Sequence, residues 1–203
     1  MHKRIVKIAS AIVAALVLTL VGANSSVHAL SDAIYYPPSF GGASSAGSSL
    51  GGTPLTYSDG LTINGNTYDI SKNVQTIPTV PLYVGAPATI TVKLWDSSGT
   101  YEIQGVAMFL NVRGYNPSAG SSDTWVQYST TTGVTVHDPH GLLGTTTASV
   151  TYDKSFMYVT FHLLPNNPMN TSWMIFTAWD KHMSANTAKI DNAVNFSYIP
   201  FSY

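Results

Sequence analysis

The chain has 203 residues, no cysteine, and nine Lys and Arg against ten Asp and Glu. Zero cysteine excludes disulfides, thiolate chemistry, iron–sulfur clusters and type 1 copper. Sparse, unclustered charge excludes nucleic acid and anionic membranes as partners, since both need grouped Lys and Arg.

The N-terminus reads as a secretory signal. Lys3, Arg4 and Lys7 form a basic start, Ile8 to Ala23 is apolar, and Val27-His28-Ala29 closes the segment with a small-x-small cleavage pattern. The apolar run is short for a membrane span, which needs about 20 residues. Residues 1–29 are therefore expected to be a signal peptide, giving a secreted or cell-surface protein with no membrane insertion after cleavage. Removing them leaves six basic residues against ten acidic ones.

Leu30 to Phe40, "LSDAIYYPPSF", is short and broken by proline, and "GGASSAGSSLGGT" from Gly41 to Thr53 has the composition of a flexible linker. Residues 30–53 are expected to contribute little to a core. From Pro54 to Tyr203 the pattern changes to short runs of apolar–polar alternation. Asn64-Gly65 lies between two β-prone runs and suits a tight hairpin turn. "PATITVKLWD" sets Ile90, Val92 and Leu94 on one face, and "IQGVAMFLNV" aligns Val106, Met108, Leu110 and Val112. "TASVTY" alternates as well, while "FMYVTFHLL" and "SWMIFTAW" are apolar on both faces, as central strands are. Turn signals separate these runs, and no helix-period stretch competes after the signal. Residues 54–203 are thus expected to form an all-β, antiparallel, immunoglobulin-like β-sandwich, large enough to be stabilised by burial alone.

Two resemblances bear on this reading. "VPLYVGAPATITVKLWDSSGT" resembles the opening of bacterial and archaeal immunoglobulin-like surface domains, in which a small residue precedes a Pro-Ala/Val-Thr strand that ends in Asp-x-x-Gly. That resemblance implies a fold and no activity. Between Val80 and Ile199, "GVTVHDPHGL", "MYVTFHLL" and "NPMNTSWMIFTAWD" resemble uncharacterised exported proteins of ammonia-oxidising archaea. The second resemblance implies a copper-dependent lifestyle and brings no catalytic residues.

Strands that alternate in direction bring the histidines into question. If Gly133–Val136 runs upward, His137 and His140 sit at the top, and the next upward strand delivers His162 there. Met169 lies in the loop that follows, and His182 falls at the opposite end. Neutral imidazoles with a thioether suit copper, and three imidazoles suit zinc. His137, His140, His162 and Met169 are therefore the candidate ligands, with Asp138 as a carboxylate ligand or an acceptor behind a histidine. The competing reading is that Asp138-Pro139 is an ordinary turn, that the methionines fill the core, and that His162 points away from the loop.

Enzymatic chemistry is poorly supplied. Glu102 is the lone glutamate, and Asp96, Asp138, Asp153 and Asp180 fall at predicted strand ends, where Asp caps its own backbone. No His-Glu-x-x-His, Gly-x-Ser-x-Gly or phosphate-cradling glycine motif is present. Exposed aromatics would suit sugars, with Tyr35, Tyr36, Tyr115, Trp125, Trp173 and Trp179 as candidates. Alternation within an apolar strand assigns Trp173 and Trp179 to the core instead. Sequons stand at Asn170 and Asn195. The expected role is a non-catalytic interaction module at the cell surface, engaging a surface protein or itself. The alternatives are a filament or surface-layer subunit joined by strand exchange through "AIYYPPSF", and a carbohydrate-binding module.

Overall fold

The computed structural model describes residues 36–41, 59–112, 117–153 and 155–200. The expected signal peptide, most of the expected linker, and Tyr35 and Tyr115 lie outside them. Two sheets pack face to face. Sheet I runs β10 (Thr147–Asp153), β11 (Phe156–Leu163), β6 (Ala88–Trp95), β2 (Leu61–Ile63), β3 (Asn66–Tyr68), with β1 (Ser39–Phe40) also on β6. Sheet II runs β4 (Val74–Thr76), β13 (Ala185–Ser197), β12 (Met169–Asp180), β7 (Ile103–Val112), β8 (Thr124–Ser129), β9 (Gly133–His137), with β5 (Val80–Tyr83) also on β13. Strand order β2-β6-β11-β10 against β13-β12-β7-β8-β9 is that of a variable-type immunoglobulin sandwich. All pairings are antiparallel except those of β4 and β5, which run parallel to β13.

Local chemistry explains the elements. Asn64 and Gly65 both take positive φ (47° and 85°), the condition for the tight β2–β3 turn. β6 buries Ile90, Val92 and Leu94 completely and turns its threonines and Lys93 outward. β11 and β12 occupy the interior of their sheets, and they supply Phe161 and Phe176 to the shared core. Burying each such side chain contributes about 1.5–3 kcal/mol.

The N-terminal boundary falls earlier than Pro54. Ser39 and Phe40 are buried and pair with Trp95 and Leu94. The prolines at 37 and 38 lack amide donors and so cap this pairing on one side rather than prevent it. A single aromatic, Phe40, gives the segment enough apolar surface to dock, its ring 6.4 Å from that of Phe176.

Candidate functional site

The five expected metal ligands reach the same end of the sandwich, and there they separate. In β11, Phe161 and Leu163 point into the core, so the period of two turns His162 outward from sheet I. Its Nε2 lies 2.9 Å from Ser149 Oγ on β10. His137 closes β9 at the far edge of sheet II, its ring stacked on Trp125 at 5.4 Å and 21°. His140 Nε2 lies 2.7 Å from Asp123 Oδ2. Both carboxylate oxygens of Asp138 build the turn, Oδ1 accepting from Thr124 Oγ1 and Oδ2 from the Leu143 amide. Met169 is buried, and shares with His140 a cavity of about 550 Å³ lined also by Asn111, Asn170 and Ser172. Among the described residues no three of His, Asp and Glu gather as a metal site. The expected copper or zinc ligands do not come together: strand direction fixes which pole a residue reaches, but His162 and His137 stand on strands of different sheets, and alternation turns His162 to the outer face of sheet I.

The opposite pole carries carboxylates. Asp96 and Asp180 are nearly wholly buried, and Glu102 lies 3.6 Å from His182 and 3.9 Å from Lys181. Asp180 Oδ1 accepts the amides of His182 and Ser184, which fixes the β12–β13 turn. Asp96 Oδ1 accepts the Ser98 amide, while Oδ2 is enclosed without a partner. Burial pushes the Asp96 carboxyl above the usual range. The Ser98 bond opposes the rise, Asp180 and Glu102 add to it, and His182 lowers it. A folded-state pKa above the unfolded value means that stability falls as pH rises through that window. Asp96→Asn keeps the Ser98 bond and removes the buried charge. It is expected to raise Tm at pH 7 by about 2–4 °C, the shift from ~1 kcal/mol in a domain of this size, and to flatten the gain that the parent shows on acidification. Melting curves from pH 4 to 8 check both.

The outer face of sheet II presents a third arrangement. Trp173 and Trp179 are not in the core: Met174, Phe176 and Ala178 are, which turns the tryptophans outward with Ile175 and Thr177. Cross-strand register aligns His137, Trp125, Phe109, Ile175 and Lys189 in one row. The next row is Thr135, Gln127, Ala107, Thr177 and Thr187. The row below sets Ser129, Gly105 and Trp179 side by side, and the far edge of the Trp179 indole lies over Gly105. Although it faces away from the core, Ile175 is 0 % exposed, because neighbouring side chains close over it. Trp125, Phe109, Trp173 and Trp179 remain half-exposed. This face thus sets half-exposed aromatic rings beside a strip of hydroxyls and an amide, and Lys189 is the one charge in the three rows. Phe109, Gln127 and Ile175 are new to the site. Their signal in sequence is the outward half of alternations whose inward half marks the core.

Asn170 is exposed where β12 shifts register, whereas Asn195 is half-buried with its Oδ1 enclosed. Compared with known protein families and with curated proteins, the chain matches none.

Proposed function

We propose that this protein is an exported, non-catalytic surface module that holds a neutral polysaccharide across the outer face of sheet II. The observation that carries the reading is the register row of Trp125, Phe109 and buried Ile175, with half-exposed Trp173 and Trp179 on the same outer face. A sugar ring offers a C–H face that stacks on an aromatic ring and hydroxyl edges that need hydrogen-bond partners. Gln127, Thr135 and Thr177 supply those partners in the adjacent row. The near absence of charge suits a neutral chain rather than a uronic or sulfated one. The signal-like N-terminus supports export.

Electrophoresis in native gels containing xylan, galactomannan or mixed-linkage β-glucan tests the reading. At least one of these is expected to retard the protein, and Trp125→Ala and Trp173→Ala are each expected to weaken binding roughly tenfold, the equivalent of about 1.4 kcal/mol. Unretarded migration in every neutral polysaccharide, or retardation that both variants keep, overturns it.

A further inference from the structure

We infer that Tyr36–Gly41 is an exchangeable edge segment, and that its slot along β6 accepts the same segment from a second copy of this chain. β6 is paired along its whole length by β11 on one side. On its other side the partner strand comes in two pieces. Ser39 and Phe40 face Trp95 and Leu94, and Leu61, Thr62 and Ile63 face Val92, Thr91 and Ile90. Lys93, between them, is served by both pieces: its carbonyl accepts the Gly41 amide at 3.0 Å, and its amide donates to the Gly60 carbonyl at 3.0 Å. The two glycines touch. A β-carbon on Gly60 would lie 3.3 Å from Gly41 Cα and 2.6 Å from Ile70 Cγ1, and one on Gly41 would lie 3.0 Å from the Asp59 carbonyl. The partner of β6 is therefore one strand cut at Lys93, and residues 42–59 join the two sides of the cut.

A second copy is the occupant these observations favour. Among the described residues the slot's contacts include two ladder positions, the Gly41 bond and the burial of Phe40 (4 % exposed) near Phe176. They are the same whichever copy supplies the segment, so exchange sacrifices none of these contacts. Holding the segment within one chain requires the connecting residues to close on themselves, which costs chain entropy. A segment given to a neighbour makes the same contacts with that closure released. The balance then moves toward exchange as the local concentration rises, as it does for a protein displayed at a surface. The slot lies on sheet I and the aromatic face on sheet II, so this inference stands apart from the polysaccharide reading.

The chain has no cysteine, so Ser39→Cys with Trp95→Cys places the only two thiols of each chain at one ladder pair, and the disulfide between positions 39 and 95 records which copy supplied the segment. Oxidised at increasing protein concentration and run on a denaturing, non-reducing gel, the double variant is expected to give covalent dimers and higher multimers in rising proportion. Closure within one chain at every concentration overturns the proposal. A second measurement keeps Trp95: light scattering of the unsubstituted chain against Phe40→Asp. The unsubstituted chain is expected to gain mass with concentration and Phe40→Asp to stay monomeric. Monomer mass throughout for the unsubstituted chain, or association unchanged by Phe40→Asp, overturns it.

Discussion

Gly105→Ala is expected to destabilise the fold by about 3 kcal/mol or more, a large effect for one methyl group. Gly105 lies on β7 between Ser129 of β8 and Trp179 of β12. A β-carbon there would lie 2.5 Å from the Tyr128 carbonyl oxygen and inside the contact shell of Trp179 Cζ2. The first neighbour is backbone and cannot step aside without parting β7 from β8. The second is an indole whose position depends on the absence of a side chain beneath it. Gly120→Ala is the control, because its nearest neighbour would be Ser118 Oγ at 3.8 Å. That change is expected to stay within about 0.5 kcal/mol. Chemical denaturation followed by tryptophan fluorescence measures both. Since Trp179 belongs to the outer aromatic face, Gly105→Ala is also expected to weaken retardation by polysaccharide, whereas Gly120→Ala leaves it unchanged.

Gly105 also marks what could be read in the sequence. The alternation of β6 and the Asn64-Gly65 turn were legible because each is decided by neighbours in the chain. The pole reached by each histidine was legible too, since it follows from counting strand directions. What alternation leaves open is which of the two faces is the core when a strand is apolar on both. In β12 the tryptophans are the larger residues, and size argues for placing them inside. The structure buries Met174, Phe176 and Ala178 instead and lays Trp179 over Gly105. That choice depends on a glycine some seventy residues away in sequence, and no local pattern encodes it. The same limit separated His162 from His137. Their pole is a matter of direction, but their separation depends on which sheet each strand joins, β11 beside β6 and β9 beside β8. The parallel pairing of β4 and β5 with β13 is likewise a long-range choice, since nothing within "NVQTIPTVPLY" specifies a strand more than a hundred residues away.

The N-terminal piece was the larger omission, and it carries the second large prediction. A chain in which Gly41 is joined directly to Leu61, with residues 42–60 removed, is expected to be more stable than the parent by about 2 kcal/mol, the closure entropy of a loop of this length. Register makes the join possible. Positions 39, 40 and 41 face 95, 94 and 93 of β6, and positions 61, 62 and 63 face 92, 91 and 90. Gly41 and Gly60 meet at Lys93, so omitting Gly60 leaves one residue per ladder position. The joined strand keeps Phe40 against the core and restores an unbroken partner for β6. It gives up the Lys93 Nζ–Asp59 ion pair. Lys93 Nζ also lies 4.1 Å from the centre of the Phe156 ring, and an ion pair with a half-exposed Asp59 contributes at most about 1 kcal/mol. Melting and denaturant curves should therefore show a net gain, and light scattering should show a monomer at every concentration, because a short continuous strand cannot reach a neighbour's slot. A joined chain less stable than the parent would mean that residues 42–60 hold the sandwich together in their own right. A joined chain that still associates would place self-association somewhere other than the edge of β6.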